Sequence, residues 1–530
     1  MEWWADAVVY HVYVRSFTDT DGDGVGDLDG VRSRLGYLEL LGVDAIALTP
    51  IFSSPMIDHG YDVADARAVD PVFGDNDTFD RLLASAHEHA LRVVIDLVPN
   101  HTSSEHEWFR AALSSAPGSP ERARYHFRPG RGDDGSEPPN NWRSIYGGPA
   151  WTRLPDPGRD AVGGEWYLHL FGPEEPDLNW ANPEVRSDLE KTLRFWLDRG
   201  ADGVRLDLAD GMSKPAELPD APDPEARLLT HLPGDPRFDD DGVHEVHRMI
   251  RTVVDEYPGR LLAGELRVDD TERFARYVRA DELHVGVGTP LVRTPFDADA
   301  VRAAIEGTLA AATGARPAWT LSNPHVSRPV TRYGGGQTGL ARARAMVLVQ
   351  LALPGVVHLY NGDELGLPDA DLPDEALQDS IWQRSGNTER GRDAYRVPLP
   401  WEGGPPGYGF TVGDPWLPIP AEYGQLTVAD QLEDTTSMLS LLRRGVELRK
   451  THPGFAGGRG VVASGAGGRG ELEWFGAPPG CFAFRRAGTT FVCALNTSQE
   501  AVPLPPGEVL LASGSVEGGH LPPDTAVWLA

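Results

Sequence analysis

Eight short apolar runs, each followed by an amphipathic segment of helical period, succeed one another between residues 7 and 360, and nothing else in the chain limits its fold as tightly. The runs are AVVYHVYV (7–14), AIALTP (45–50), RVVIDLVP (92–99), GVRLDLA (203–209), LLAGEL (261–266), LHVGVG (283–288), AWTLSN (318–323) and GVVHLY (355–360). They are rich in β-branched residues, as parallel strands covered on both faces require. Between them lie helical patterns such as NDTFDRLLASAHEHA and HEVHRMIRTVVDEY. Repeated strand–helix units predict an α/β fold, a (β/α)8 TIM barrel, in preference to an open doubly wound sheet.

Two stretches interrupt that rhythm. Residues 102–180 are rich in Gly, Pro, Trp and Asp and too long for an ordinary loop, which predicts a subdomain inserted after the third strand. A second irregular stretch spans about 364–430, inside a second barrel segment of 181–445 that completes the first one at 1–101. From 446 to 530 the pattern becomes short strands with Gly turns, predicting a C-terminal antiparallel β-sandwich.

Charge narrows the partners. With 79 acidic against 48 basic residues the net charge is −31, which repels phosphate backbones and anionic membranes. The expected partner is therefore a small, neutral molecule such as a sugar, with no nucleic acid and no membrane. The opening MEWWADAVVYHVYV lacks a basic start and a cleavage site, and AMVLVQLALPGVVHLY is broken by Pro354 and Gly355, so a cytoplasmic location is expected. Cys481 and Cys493 lie symmetrically about Ala487 in an apparent hairpin and so could face each other; they are read as reduced thiols.

In a TIM barrel the reactive groups sit at the carboxyl ends of the strands. Those ends carry Asp96, Asn100 and His101, then Arg205 and Asp207, then Glu265, then Asn323 and His325. An arginine and several acids are expensive to bury unless they pair or do chemistry. Carboxylates on adjacent strands are what glycoside cleavage needs, one to attack the anomeric carbon and one to protonate the departing oxygen. Arg205, two residues before Asp207, is expected to hold that carboxyl ionised, and the apolar neighbours of Glu265 (Leu262, Ala263, Leu266) to keep it protonated. In DTDGDGVGD, Asp19, Asp21, Asp23 and Asp27 with the Val25 carbonyl are spaced to wrap a structural Ca2+ or Mg2+. No organic cofactor is expected.

DLVPNHTS (96–103), GVRLDLADGMSK (203–214) and AGEL (263–266) resemble three of the four regions shared by glycoside hydrolase family 13, the α-amylase family. YHVYVRSFTDTDGDGVGDLDGV (10–31), SPMIDHGYDVAD (54–65), PDLNWANPEVR (176–186) and RGRDAYRVPLPW (390–401) are similar to its α-glucosidase and oligo-1,6-glucosidase branch. The resemblance implies a retaining mechanism with Asp207 as nucleophile and Glu265 as general acid/base. It implies that Asp58, Tyr61, His101, Arg205 and Arg396 grip the terminal sugar. The family's fourth region reads Asn-His-Asp; here TLSNPHVSRPVTRYG (320–334) places Pro324 at the histidine and His325 at the aspartate. That change implies a slow α-glucosidase or transglucosidase, or one retuned through His325 to a sugar altered at C2 or C3; the alternative is a sugar-binding protein without turnover.

Overall fold

The computed structural model describes residues 2–155, 164–224, 234–312, 314–458 and 472–530. Eight parallel strands, Val8–Val12 (β1), Ala45–Leu48 (β2), Arg92–Leu97 (β3), Gly203–Leu206 (β4), Leu261–Leu266 (β5), Val285–Gly288 (β6), Ala318–Thr320 (β7) and Val356–Tyr360 (β8), make one sheet. Its order is β6-β5-β4-β3-β2-β1-β8-β7. β6 and β7 lie side by side without a ladder, so a nearly closed (β/α)8 barrel results. β5 fills its apolar run and the other strands are shorter than theirs; in β2, β3, β4 and β7 the last residues of the run leave the ladder toward the rim.

The two-residue period of a strand sorts the barrel's contents. Val8, Tyr10 and Val12 of β1, Val93, Ile95 and Leu97 of β3, and Leu262 and Leu266 of β5 belong to the outer apolar layer under the helices. Val9, Ala45, Ala47, Val94, Leu261, Ala263, Val285 and Val356 fill the barrel axis, with Trp4 packed into the same cluster. One step further along the inward rows stand His11, Asp96, Arg205, Glu265 and His358, all buried. The interior therefore changes from apolar to ionisable toward the carboxyl ends of the strands. Asp75 marks one of the covering helices, Asn76–Glu88, with a reciprocal capping box to Thr78.

Between β3 and the helix Pro183–Asp198 the chain forms a three-stranded antiparallel sheet of Phe127–Pro129, Glu165–Leu168 and Trp151–Arg153, in that order. After β8 comes a stretch of turns and short helices, including Ser380–Arg384 and Asp393–Tyr395. Beyond the helix Met438–Thr451, a five-stranded antiparallel sheet runs in the order Leu472–Phe475, Cys481–Arg486, Val492–Asn496, Thr525–Leu529, Val509–Ala512. A two-stranded ladder of Val502–Pro503 with His520–Leu521 accompanies it.

The two cysteines, read as reduced thiols that could face each other, are reduced but do not face each other in this register. Cys481 pairs with Asn496 and Cys493 with Phe484, and both thiols are free. The turn is centred past Ala487, between Gly488, which takes a left-handed conformation (φ +74°), and Thr489. Among the described residues no helix is long and apolar enough to cross a membrane.

Candidate active site

Arg205 stands at the centre of the rim. From β4 its Nη1 donates to both oxygens of Asp96 at 2.6 and 2.5 Å, and its Nη2 donates to Oε2 of Glu265. Asp207 follows β4 by one residue; its amide donates to the Leu97 carbonyl at 2.8 Å, and its Oδ1 lies 3.8 Å from Arg205. The next residue, Leu208, is held at φ +48°, a conformation uncommon for a bulky side chain and found where surrounding packing over-determines it. The chain then turns so that the Ala209 amide donates to the Glu265 carbonyl at 3.0 Å. Gly264 permits that approach, since a Cβ there would stand 2.8 Å from Ala209 and Leu283.

The charge pattern differs from the one expected from sequence. Arg205 was expected to hold Asp207 ionised, yet its donors face Asp96 and Glu265. Burial, reinforced by the neighbouring Glu265 and only partly offset by Arg205, pushes the Asp207 carboxyl up to about 7. Burial also raises Asp96, but Arg205 and His11 outweigh it and leave that carboxyl below its usual range. Glu265 was expected among apolar neighbours; Leu262 and Leu266 point outward instead, and its carboxylate meets Arg205 and, at 3.7 Å, the Nε of Arg267. Inward and outward faces of one strand alternate, so sequence neighbours are not spatial ones.

Asp58, Tyr61, His101, Arg396 and His325 all reach the same rim. Asp58 accepts from the Tyr146 hydroxyl at 2.8 Å and from Arg392, whose Nε also donates to Asp379 at 2.6 Å. Tyr61 is buried with its hydroxyl unpartnered, its ring set edge-on to His325 at 5.4 Å between centroids. His101 Nε2 lies 3.5 Å from Glu175 without a hydrogen bond, and burial lowers this imidazole to about 4. Arg396 donates from Nε to the Pro324 carbonyl at 2.9 Å; both terminal nitrogens lack a hydrogen bond, with Nη1 standing 3.8 Å from Asp379. Sequence reading missed Arg392, Tyr146, Glu175 and Arg267, which contact these groups from distant segments. The Arg392–Arg396 spacing was visible; the pairing of Arg392 with Asp58 was not.

His325 occupies the remaining side. Its amide donates to Asn323 at 2.8 Å, and its Nε2 stands 3.8 Å from Asp207. Burial pushes the imidazole well below its usual range, and Arg396, Arg392, Arg267 and Arg205 push in the same direction. Neither ring nitrogen has a partner, and neither do Oδ1 of Asp207 and Oε1 of Glu265. An unmet buried polar group costs about 1–3 kcal/mol, so such a convergence fits a site completed by a polar ligand.

The α-amylase catalytic-domain family matches residues 11–458. The chain belongs to the α-amylase family. A probable α-glucosidase of Rhizobium meliloti (strain 1021) is 37% identical over 532 residues, covering 94% of this chain and 90% of that protein. An oligo-1,6-glucosidase of Heyndrickxia coagulans is 34% identical, covering 86% and 87%. The solved structure of the α-glucosyl transfer enzyme XgtA superposes with a TM-score of 0.88 at 35% identity, covering 100% of both chains. This α-amylase-family chain is an enzyme of the glycoside hydrolase and glucosyl-transfer class.

Its acidic loop lies on the same side of the fold as the stretch after β8. Carboxylate oxygens of Asp19, Asp21 and Asp27 come within 4.8 Å of one another, while Asp23 stands outside that group and accepts from the Val25 amide at 2.7 Å. Burial and the neighbouring acids Asp21 and Asp19 push Asp23 up. The oxygen-only donor set and mutually repelling carboxylates fit a hard divalent cation. Gly24 (φ +92°) lets the loop close on residue 414, where a Cβ would come within 2.2 Å of a carbonyl oxygen. Asp19 also accepts from Gly22 and Gly24 amides and from the Thr411 hydroxyl.

Proposed function

We propose that this enzyme cleaves or transfers terminal α-glucosyl units of small saccharides or glucosides with retention of configuration. Asp207 attacks the anomeric carbon; Glu265 protonates the departing oxygen and then takes a proton from water or an acceptor sugar. One observation carries the reading: carboxylate oxygens of Asp207 and Glu265 lie within 4.8 Å of one another. So close an approach suits retaining enzymes, whose carboxyl groups stand about 5–5.5 Å apart, better than inverting ones, which separate theirs by about 6.5–9.5 Å to admit a water. The activities named for the relatives, α-glucosidase, oligo-1,6-glucosidase and α-glucosyl transfer, support it. Asp58, Tyr61, His101, Arg205, His325 and Arg396 line the sugar's place, and the unmet donors and acceptors of Tyr61, His101, His325 and Arg396 suit its hydroxyls.

Asn323-Pro324-His325 stands where the family has Asn-His-Asp. The missing carboxylate would have gained strength as positive charge built up on the ring, so turnover suffers more than binding. The enzyme is thus slow on plain glucosides, or retuned to a sugar modified at C2 or C3. A second reading, a sugar-binding protein without turnover, is favoured by the same substitution. An aryl α-glucoside assay with Asp207→Asn beside the wild type separates them. Turnover is expected in the wild type and a loss of about a thousandfold or more in the variant. Sugar binding with no turnover and no glucosyl adduct on Asp207 by mass spectrometry would rule the enzyme reading out.

Asp19, Asp21, Asp23, Asp27 and the Val25 carbonyl are proposed to hold a structural Ca2+ or Mg2+. The ion would neutralise the loop and fasten it to the stretch that carries Arg392 and Arg396.

A further inference from the structure

Arg267 follows β5 and takes no part in the proposed chemistry, yet it is buried at the reacting centre, its side chain 1% exposed. Its Nε and Nη1 have no hydrogen-bond partner. The acid nearest to it, Glu265 at 3.7 Å, is already bonded by Arg205 through Oε2, and Oε1 must stay free to reach the departing oxygen. Asp207 and His325 both feel its charge. A buried guanidinium without a bonded counter-charge is costly unless something else supplies one.

The surroundings polarise the site. Arg205 and Arg392 direct their donors at Asp96, Glu265, Asp58 and Asp379. Arg267 and Arg396 leave donors unmet, and both bear on His325, which is 5% exposed and whose nitrogens are unmet as well. One wall of the site is thus electropositive and donor-rich. Asp207, Glu265 and His325 each place a ligand atom within 4.8 Å of the others, but four guanidiniums bear on that point and oppose a bound cation.

We propose that the sugar taken by this enzyme carries an oxyanion (a carboxylate, sulfate or phosphate), and that Arg267 recognises it, with His325 and Arg396 completing the electropositive wall. Arginine suits this task because its planar fork bonds two oxygens of such a group at once. The inference rests on the α-glucosyl reading of the site and adds the charge class of the substrate.

Calorimetric binding to full-length protein carrying Asp207→Asn tests it apart from turnover. The probes are methyl α-glucoside against its 2-sulfate, and trehalose against trehalose 6-phosphate. At least one anionic sugar should bind about tenfold or more tighter than its neutral counterpart, as a charge-assisted bond would give. Preference for the 2-sulfate places the oxyanion on the bound glucosyl unit; preference for the phosphate places it on the acceptor side. Adding Arg267→Met should cost the anionic sugar about tenfold more than the neutral one, and Arg267→Lys should keep part of the preference. Equal binding of charged and neutral sugars overturns the proposal, as does a preference that survives Arg267→Met. Should Arg267→Met fail to fold, the parent's preference and its response to Arg267→Lys decide. Failure of glucosyl transfer leaves every one of these readings intact, because none depends on turnover.

Discussion

A carboxyl raised to about 7 makes Asp207 the residue through which pH acts most directly. The free enzyme's nucleophile ionises as pH rises, so kcat/KM should climb through neutral pH and fall off on the acid side. Stability follows the opposite sense. Between the ordinary carboxyl range and about 7 the native state holds a proton that the unfolded chain has released, so stability decreases as pH rises through that window. Asp207→Asn removes that penalty. Its Tm should exceed the wild type's by roughly 1–3 °C near pH 8, with no difference near pH 4, read by calorimetry at both values. A variant no more stable at either pH would mean that the carboxyl is not under strain in the native site. A neighbouring residue gives the complementary test. Replacing Pro324 and His325 together by His and Asp should raise kcat on an aryl α-glucoside by about 10²-fold, the scale of one charged contact in a preorganised site. It should also move the acidic limb upward, because a carboxylate at position 325 would stand close to Asp207, where His325 Nε2 now lies 3.8 Å away.

Elements brought together from far apart build the sugar's side of the site, and Arg392 is their junction. It ties Asp58 after β2, Tyr146 of the inserted segment and Asp379 beyond β8. Arg392→Met would take the bonded guanidinium from two buried carboxylates, leaving Asp58 the Tyr146 hydroxyl and Asp379 the more distant Arg396 at 3.8 Å, at a cost of about 3–5 kcal/mol in urea unfolding. The acidic loop acts on the same stretch through Thr411. If it holds Ca2+, a hundredfold excess over Kd should stabilise the fold by about 2.7 kcal/mol, and chelation should lower Tm in the wild type but not in Asp19→Ala. These cases mark how far the sequence reaches. The eight strands were legible because period and β-branched content are local, and the rim residues because strand ends name themselves. Arg392 was not legible, since two of its three partners, Asp58 and Tyr146, lie 334 and 246 residues away in the chain. Nor were the surroundings of Glu265, which depend on which face of β5 turns inward, or the offset of Cys481 from Cys493, which depends on where the hairpin turns.

At the scale of the molecule, the C-terminal sheet is joined to the barrel as core rather than as an appendage. Phe484, Cys493, Leu495 and Trp528 share one apolar cluster with the barrel's outer layer, including Leu348 and Leu351 of the helix Gly336–Ala352. That helix buries residues on nearly every side of its second half, Ala345 through Ala352, so it needs the barrel on one flank and the sheet on the other. Polar bonds seal the seam: Trp528 Nε1 donates to the Leu348 carbonyl at 3.1 Å, and Arg486 donates to the Ala352 and Leu353 carbonyls at 2.9 and 2.7 Å. Two parts sharing a core unfold together, so calorimetry should show one cooperative transition, not a separate melting of the sheet. Trp528→Ala should destabilise the whole by about 3–5 kcal/mol, displacing that single transition and leaving the activity of the folded fraction unchanged. Two resolved transitions, or a Trp528→Ala variant that loses only the sheet while the barrel keeps its Tm, would show that the seam does not couple them.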